Sequence, residues 1–446
     1  MAREMIHSGI EWIGEIPKEW KVARFKFVSE MFTGNSLNEH QKEYYSQYHD
    51  NESSIPYVST KDVERDIERI NYDGEIRIPE SEQGFSIAPK YSVLLCIEGG
   101  SAGKKVGYTN QKVCFVNKLC CINSNQNSRF IYFFILSNAF NEPFAQNIQG
   151  LIGGVSVNSL KNFYITTPPL SEQQKIANYL DKVCGEVDEM IALQEQMIEE
   201  LKAYKQSVIT EAVTKGLNPN TPMKDSGIDW IGEVPEYWEI GRIGLFFFVT
   251  KLAGFEYTDT LMNTISPDGC IPIVRAQNVR MFKFNKEGIS EFTDMGTSLL
   301  LNRCSLNQKA LLLTFIGAGI GDVCLFNETQ RFHLAPNVAK LELNEAYKSN
   351  IQEEYVMYYL GSDAGKGEIN KISKASAQAS LSMSTIRKIS FTLPPISEQQ
   401  SIASYLDTKC AEIDALIAIK QAKIEELKEY KKSVIYEYVT GKKEVV

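Results

Sequence analysis

The chain contains two copies of the same pair of sequence blocks, and this repeat constrains its architecture more than any other feature. Residues 8–20, SGIEWIGEIPKEW, return as residues 226–238, SGIDWIGEVPEYW. A second block, residues 168–214 beginning PPLSEQQ, returns as residues 394–440 with 29 identities in 47 positions. The segments between the two blocks share only scattered similarity. The repeat therefore predicts the order variable domain, helix, variable domain, helix.

Each copy of the second block is predicted to be one long helix. Ser171 with Gln174, and Ser397 with Gln400, fit the S-x-x-E/Q capping box after a Pro-Pro pair. We expect glycines at 216 and 441 to end the helices, and about 43 residues give a rod of roughly 65 Å. Steps of three and four between apolar residues predict a coiled-coil seam. Its predicted members are Ile176, Leu180, Val183, Val187, Met190, Ile198, Leu201, Tyr204 and Val208, with Ile402, Leu406, Cys410, Ile413, Leu416, Ile424, Leu427, Tyr430 and Val434.

The two matching seams favour antiparallel pairing of the helices with each other in a pseudo-twofold molecule. The alternative is two independent amphipathic helices, each packed on its own domain. The predicted division is 1–170 for the first domain with its N-terminal segment, 171–216 for the central helix, 217–396 for the second domain and 397–446 for the distal helix.

The variable segments are predicted to be α/β (α+β) domains built on one framework. Short apolar runs that end at glycines, 91–97 and 310–316, are typical of buried strands. Residues 55–63 and 271–279 each predict a strand that leads into a polar turn. Residues 129–140 and 353–360 are predicted to be helices with aromatic faces.

Charge is distributed unevenly along the chain, which carries a net charge of −9. Residues 18–167 and residues 236–393 each contain 16 basic and 16 acidic residues, whereas 171–215 contains 5 basic and 9 acidic residues. Because DNA affinity follows local patches, two neutral domains do not exclude DNA binding, although they predict that the chain alone binds DNA weakly.

Other features of the sequence indicate a cytoplasmic protein with no membrane segment. No run of eighteen apolar residues occurs, and the N-terminus lacks the apolar core of a signal peptide. Nine cysteines without a CxxC pair favour reduced thiols.

The sequence shows no recognisable catalytic or cofactor-binding motif. The glycine-rich turns 317–322 and 100–105 depart from the spacing of nucleotide-binding loops, so each is interpreted as a tight turn after a strand. Residues 141–144, NEPF, have a glutamate where the active-site motif of adenine methyltransferases has proline. Four scattered histidines predict no metal site and no catalytic triad.

The duplicated PP-L/I-SEQQ-x-IA-x-YLD block, the WIGE-I/V-P block and their alternation with two dissimilar domains resemble the specificity subunit of type I restriction-modification enzymes. This resemblance covers nearly the whole chain. It implies a non-catalytic subunit in which each variable segment is a target recognition domain that reads half of a bipartite site in double-stranded DNA. It also implies that the two helices space these halves.

The partners and cofactors follow from the same resemblance. It implies two methyltransferase subunits that use S-adenosylmethionine to methylate an adenine in each half-site. It further implies endonuclease/translocase subunits that use ATP and Mg²⁺, while this chain itself holds no cofactor and no metal.

Candidate DNA-binding residues are polar residues on loops that correspond between the two domains, because base edges are read by such side chains. Turn stabilisation is the alternative role for each of them. The candidates are Gly34, Asn35, Ser36, Ser59, Thr60, Lys61, Asp62, Ser101, Lys104, Lys105, Ser156 and Asn158 in the first domain, and Lys251, Arg275, Gln277, Asn278, Arg280, Gly319, Ser382, Ser384 and Arg387 in the second.

Two functions of other classes stay open on the sequence: a coiled-coil scaffold that joins two protein-binding domains, and an enzyme with an unrecognised site. The differing loops predict an asymmetric target. Four residues added within 190–200 are expected to lengthen its spacer by one or two base pairs. The near-equal linkers predict that Met1 lies near Val446, and that Trp12, Trp20, Trp230 and Trp238 are partly buried in equivalent positions.

Overall fold

The computed structural model describes residues 3–48, 53–65, 69–150, 153–317, 319–374 and 380–445, and of residues 372–374 it describes the backbone only. The chain forms two compact units, which are treated one at a time below. Unit one comprises Met1–Glu195 with Gln421–Val446, and unit two comprises Gln196–Lys420. The boundary passes through both long helices.

The elements from the N-terminus to the end of the first long helix are β1 Met5–His7, β2 Glu15–Pro17, β3 Lys21–Arg24, α1 Phe25–Val28, β4 Ser29–Thr33, α2 Glu39–Ser46, β5 Ser54–Val58, β6 Arg77–Pro79, β7 Ile87–Ala88, β8 Val93–Cys96, β9 Val106–Tyr108, β10 Val113–Phe115, β11 Leu119–Ser124, α3 Ser128–Leu136, α4 Asn138–Gln146, α5 Val157–Leu160, β12 Tyr164–Thr167 and α6 Leu170–Lys215.

The elements that follow are β13 Met223–Asp225, β14 Glu233–Pro235, β15 Glu239–Arg242, α7 Ile243–Phe246, β16 Phe247–Lys251, α8 Gly254–Glu256, β17 Ile271–Val274, β18 Val279–Arg280, β19 Lys283–Phe284, β20 Phe292–Thr293, α9 Met295–Leu300, β21 Ser305–Leu306, β22 Ala310–Thr314, β23 Val323–Phe326, β24 Phe332–Leu334, β25 Val338–Leu343, α10 Glu353–Gly361, α11 Asp363–Lys374, α12 Met383–Lys388, β26 Ser390–Leu393 and α13 Ile396–Val439.

Each unit contains the same two four-stranded sheets. One is ordered β4-β11-β8-β9 in unit one and β16-β25-β22-β23 in unit two. The other is ordered β6-β5-β10-β7 in unit one and β20-β17-β24-β21 in unit two. In the second sheet the central pair, β5 with β10 or β17 with β24, is parallel. The α/β framework that the sequence predicts for both domains is confirmed.

The central strands form because their apolar runs are buried on both faces. Val93, Leu94 and Leu95 in β8, and Leu311, Leu312 and Leu313 in β22, have no exposed surface. Both predicted strand runs, 91–97 and 310–316, therefore contain a strand, although each strand is shorter than its run.

One predicted helix is divided in two. Residues 129–140 form nearly all of α3 and the start of α4, because Ser137 between the two helices has an extended backbone with φ −80° and ψ 159°. The hydroxyl of Ser137 donates to the carbonyl of Phe134 at 2.6 Å, which caps the first of the two helices. The predicted helix at 353–360 corresponds to α10.

The predicted capping boxes at the long helices are wrong. Helix α6 already includes Ser171, and Pro169 accepts from the backbone N–H groups of Glu172 and Gln173. The helix therefore begins directly after Pro169, two residues before the start that a capping box at Ser171 requires. Helix α13 begins in the same way, directly after Pro395. At the other ends, Gly216 and Gly441 follow the helices with φ of +79° and +75°, as predicted.

Within each unit, the two long helices run antiparallel. In unit one, Tyr179 packs on Tyr438 with ring centroids 4.5 Å apart, and Asp188 accepts from Lys431 at 2.6 Å. From 179 to 188 along α6, the partner residue in α13 moves back from 438 to 431, which is the antiparallel direction. In unit two, Lys205 donates to Asp414 at 2.7 Å, and a Cβ on Gly216 would lie 3.1 Å from the carboxylate of Glu398.

The helix seam departs from the predicted one near the middle of each helix. Met190, Tyr204, Leu416 and Tyr430 are 49%, 58%, 46% and 52% exposed. The half-buried positions nearby are Ile191, Gln194, Ile417 and Lys420 instead. Gln194 and Lys420, whose stems are apolar, occupy part of the seam, and a search for apolar spacing does not count them. Such a search therefore selects Met190 and Leu416, each one residue before the half-buried Ile191 and Ile417.

Equivalent contacts join each domain to the helices. The indole N–H of Trp20 donates to Glu172 at 3.0 Å, and that of Trp238 donates to Glu398 at 3.1 Å. The hydroxyl of Thr166 donates to the carbonyl of Val439 in unit one, and that of Thr392 donates to the carbonyl of Val213 in unit two, each at 2.6 Å.

The N-terminal segment packs beside the end of α13, within unit one. Lys442 donates to the carbonyl of Ile13 at 2.8 Å, and Tyr436 donates to the carbonyl of Trp12 at 3.4 Å. The predicted neighbours Met1 and Val446 lie outside the described residues. Trp12 matches Trp230 and Trp20 matches Trp238 in burial, as predicted, but only the first pair is partly buried as expected, since Trp20 and Trp238 are fully buried. No helix in the described ranges is both long and apolar enough to cross a bilayer.

Candidate nucleic-acid interface

In unit one, the predicted loops after β4 and β5 flank a single turn, 115–118. The backbone N–H of Asn35 donates to the carbonyl of Phe115 at 2.9 Å, and that of Val116 donates to the carbonyl of Val58 at 3.0 Å. The loop between β8 and β9 joins them, because Lys105 donates through Nζ to the carbonyl of Thr60 at 2.8 Å.

The fourth predicted segment of unit one adjoins the same loops. The backbone N–H of Val155 donates to the carbonyl of Ile97, and that of Gly99 donates to the carbonyl of Gly153. These bonds place the start of α5, with Ser156 and Asn158, beside the loop that carries Ser101, Lys104 and Lys105. The structure therefore brings together candidates that lie up to 124 residues apart in sequence (34–158).

Several candidates of unit one stabilise the loops through hydrogen bonds or close packing inside the unit. The side chain of Asn35 accepts from the N–H of Ser86 at 2.7 Å and donates to the carbonyl of Gly84 at 3.1 Å. Asp62 accepts from the N–H and hydroxyl of Ser59, as in the turn-stabilising alternative. A Cβ on residue 34 would lie 1.8 Å from the carbonyl oxygen of Phe115, so this close approach requires glycine.

Other candidates of unit one present their side chains to solvent. Ser36, Lys61, Lys104 and Asn158 are exposed. Thr60, Ser101 and Lys105 are half-buried, and the hydroxyl of Ser156 accepts from the N–H of Ser159 at the start of α5. The exposed cations are the groups in this cluster that are suited to attracting a polyanion.

Sequence reasoning missed Lys118. This residue is exposed in the turn between β10 and β11, and the backbone N–H of Ile97 donates to its carbonyl. Lys105 and Lys118 both lie close enough to the thiol of Cys96 to oppose the rise in its pKa that burial causes. A polar Asn-Lys pair between two short apolar runs is the sequence signal that could have identified this turn.

Unit two assembles the corresponding segments. The backbone N–H of Phe282 donates to the carbonyl of Val323 at 2.7 Å, which joins the segment after β17 to β23. The N–H of Leu381 donates to the carbonyl of Phe315, and Lys251 places its Nζ 5.1 Å from the centroid of the Phe315 ring.

Three candidates of unit two are held by other groups of the unit. Arg275 donates through Nε to Glu291 at 2.9 Å, and through its guanidinium to the hydroxyl of Tyr257 at 3.3 Å. Asn278 accepts from the N–H of Arg275 at 2.9 Å, so it caps the turn. Arg387 donates to the carbonyl of Val249 at 2.8 Å while its side chain stays largely exposed.

The remaining candidates of unit two lie on the surface of the same cluster. Gln277 and Arg280 are exposed, and Gly319 is half-buried. Ser382 accepts from the N–H of Thr385 at the start of α12, and the hydroxyls of Ser382 and Ser384 are 2.7 Å apart.

The clusters offer hydrogen-bonding and charged groups at their surfaces. Within the described residues, no group of three or more His, Cys, Asp or Glu side chains is placed to share a metal ion. The arrangement suits nucleic-acid binding, because exposed cations suit phosphates, and amide, hydroxyl and carboxylate groups suit base edges.

Comparison with known proteins places the chain among DNA specificity proteins. The family model described as the type I restriction modification DNA specificity domain matches twice, at residues 17–203 and 237–429. The chain is 24% identical over 438 residues to the type I restriction enzyme MjaVIII specificity subunit of Methanocaldococcus jannaschii, covering 96% of this chain and 93% of that protein. It is 23% identical over 420 residues to the EcoKI specificity subunit of Escherichia coli K12, covering 90% and 84%.

Solved structures share the fold. A chain from a study of the complex assembly and conformational transition of the type I R-M system matches with a TM-score of 0.71 and 14% identity, covering 95% of this chain and 98% of that one. The HsdS subunit from Thermoanaerobacter tengcongensis matches with a TM-score of 0.50 and 15% identity, covering 96% and 98%.

Proposed function

The chain belongs to the type I restriction-modification DNA specificity family, and on that premise we propose that it is the subunit that selects the DNA target of such a complex. The proposal specifies double-stranded DNA with a bipartite, asymmetric site, one half for each domain. This assignment agrees with the family that the sequence repeat predicted.

The observation that carries the proposal is one scaffold used twice with different loops. Both units have the same sheet orders and the same threonine and tryptophan contacts to the helices. The loops at equivalent strand ends differ in sequence: Ser59–Asp62 follow β5 in unit one, and Arg275–Asn278 follow β17 in unit two. A protein that reads two different half-sites in the same way needs a repeated scaffold and dissimilar reading loops.

In this proposal the domains bind DNA through both cations and neutral polar groups. Lys61, Lys104, Lys105 and Lys118 of unit one attract phosphates, while the exposed side chains on the same loops meet base edges. The candidate residues named from the sequence keep this role as a proposal, with Asn35, Asp62, Ser156 and Asn278 acting through the loop shapes that they fix.

The helices are proposed to dock two methyltransferase subunits and to set the spacer between the half-sites. Exposed apolar side chains supply contact area for a protein partner. They are Met190, Leu193, Met197 and Tyr204 on α6, and Leu416, Ile419 and Tyr430 on α13. The functional division proposed is the one predicted above: 1–170, 171–216, 217–396 and 397–446, in a pseudo-twofold arrangement.

Catalysis belongs to the partners in this account. The methyltransferase subunits would use S-adenosylmethionine, and endonuclease/translocase subunits would use ATP and Mg²⁺. This chain contributes recognition and placement, and acts in the cytoplasm, where the DNA is.

A binding experiment tests the proposal. The full chain with its methyltransferase partner is titrated with duplex DNA over a range of salt concentrations. The variant Lys61→Gln/Lys104→Gln/Lys118→Gln is compared with Lys42→Gln/Lys90→Gln/Lys112→Gln, which removes three exposed cations away from the reading loops. We expect the first variant to make the slope of log affinity against log salt shallower by about 0.9 for each phosphate that it no longer neutralises. Equal slopes for both variants, or no salt-dependent binding by the wild type, would contradict the proposal.

A further inference from the structure

Two structurally equivalent positions in the reading loops carry opposite charges. Val106 pairs with Leu95 in unit one, and Val323 pairs with Leu313 in unit two, so strands β9 and β23 have the same register. The residues directly before them are Lys105 and Asp322. Each residue's carbonyl accepts from the matching strand at 2.9 Å, from the N–H of Cys96 in one unit and of Thr314 in the other.

The two side chains have different surroundings. Lys105 is tied to the carbonyl of Thr60. Asp322 is half-buried, and within the described part of the chain its carboxylate has neither a hydrogen bond nor an ion pair. Burial raises the pKa of Asp322, and the positive charges of Arg280 and Lys366 oppose that rise. These cations lie near enough to act on the carboxylate without pairing with it.

The loop is shaped around this carboxylate. A Cβ on Gly319 would lie 2.9 Å from Oδ2 of Asp322, so the absence of a side chain at residue 319 leaves space for the acid. Gly317 and Gly321 have φ of +101° and +90°, which hold the loop in a conformation that favours glycine. The loop thus presents one half-buried acceptor.

A half-buried carboxylate that no group of the unit pairs with keeps its acceptor oxygens available to a donor from outside the chain. A phosphate is excluded because both groups are anionic. The exocyclic amines of cytosine and adenine are the donors that the major groove presents, and aspartate accepts from such an amine.

We propose that Asp322 determines specificity at one position of the second half-site by accepting a hydrogen bond from the exocyclic amine of a cytosine or adenine. The assignment rests on the proposed function and names one of its reading residues. Lys105, at the same position of the first domain, offers donors instead. At this position the first domain would therefore donate to a base, whereas the second would accept from one.

The test is the methylation pattern of variants in the full chain, co-expressed with the methyltransferase partner in cells without other adenine methylation. Long-read sequencing gives the methylated fraction at every candidate site. Asp322→Asn is compared with Asp268→Asn, which removes an exposed charge from a turn of the same unit that is not a reading loop. The base at the affected position in the wild-type motif distinguishes cytosine from adenine.

We expect Asp322→Asn to lower discrimination at one base pair of the second half-site by about 5-fold or more, because the amide oxygen is an uncharged, weaker acceptor and the new N–H groups can meet acceptor atoms of other bases. The first half-site and the Asp268→Asn motif should stay unchanged. Gly319→Ala should weaken preference at the same base pair, because its methyl group displaces the carboxylate. This variant also serves if Asp322→Asn fails to fold.

An unchanged motif in both Asp322→Asn and Gly319→Ala would overturn the assignment while leaving the proposed function intact. A uniform loss of methylation across all sites, with no relaxed position, would also overturn it, because it would show a structural role. Absence of any methylated motif with the wild-type chain would instead remove the proposed function itself, and this assignment with it.

Discussion

Replacing the threonine that anchors each domain to a helix end should destabilise the two units unequally. Thr166 and Thr392 are fully buried, and each hydroxyl donates to the carbonyl of a residue near the end of a long helix. Valine has the same shape without the hydroxyl, so Thr166→Val removes the bond and little else, whereas Thr392→Val also removes the 2.6 Å hydrogen bond between the hydroxyls of Thr392 and Tyr355.

The expected magnitudes differ because only one of the two carbonyls has a second donor. In unit two, the hydroxyl of Tyr355 lies 2.6 Å from that of Thr392 and 3.1 Å from the carbonyl oxygen of Val213, so its single proton can turn to this carbonyl when the threonine hydroxyl is removed. Its counterpart in unit one is Phe130, which has no hydroxyl. Thr166→Val therefore leaves a carbonyl without this donor and should cost about 2 kcal/mol, whereas Thr392→Val should cost about 1 kcal/mol.

Hydrogen exchange measured by mass spectrometry is the appropriate assay, because it reports on each unit separately where a single unfolding transition does not. Exchange at residues 434–440 should be about 30-fold faster in Thr166→Val. Exchange at residues 208–214 should be about 5-fold faster in Thr392→Val. Thr167→Val, which removes an exposed hydroxyl that donates to Lys21, should change neither. Equal effects of the two buried substitutions, or a larger effect of Thr392→Val, would refute the reasoning.

Three further predictions concern the whole chain. Exchanging residues 21–167 for the corresponding segment of another family member should change one half-site of the methylated motif; changes in both halves would contradict the assignment of one domain to each half. At pH 8, the native protein should react quickly with a thiol reagent only at Cys270, since the other eight cysteines are buried and burial raises the pKa of Cys114 to about 12; a second fast thiol would contradict the described packing. A circular permutant that begins near Asn220, with the old termini joined, should fold and support the same methylation, because Lys442 already contacts Ile13; an insoluble product would count against this architecture.

The periodic and local signals of the sequence predicted the framework. Apolar runs that end at glycines marked β8 and β22, and the duplicated block marked both long helices with glycine stops that the structure confirms. These predictions succeeded because burial on two faces, and the left-handed conformation at a helix end, each demand particular residues locally.

Features that depend on distant partners escaped prediction. No glycine or proline marks the break at Ser137, where the backbone is extended and the side chain bonds back to the carbonyl of Phe134. The seam passes Gln194 and Lys420, which apolar spacing ignores. Asn35 was selected as a surface reader, yet it holds a loop 49 to 51 residues away. Which loop residue faces outward is decided by hydrogen bonds that no local pattern encodes.

The measurement that tests the central claim most directly is detection of methylated adenine in DNA from cells that express this chain with its methyltransferase partner. The account predicts one motif made of two different short sequences, separated by a fixed number of unspecified base pairs. A methylated motif that is continuous or palindromic, or a pattern that is the same when this chain is omitted, would contradict the claim that two dissimilar domains of this chain select the target.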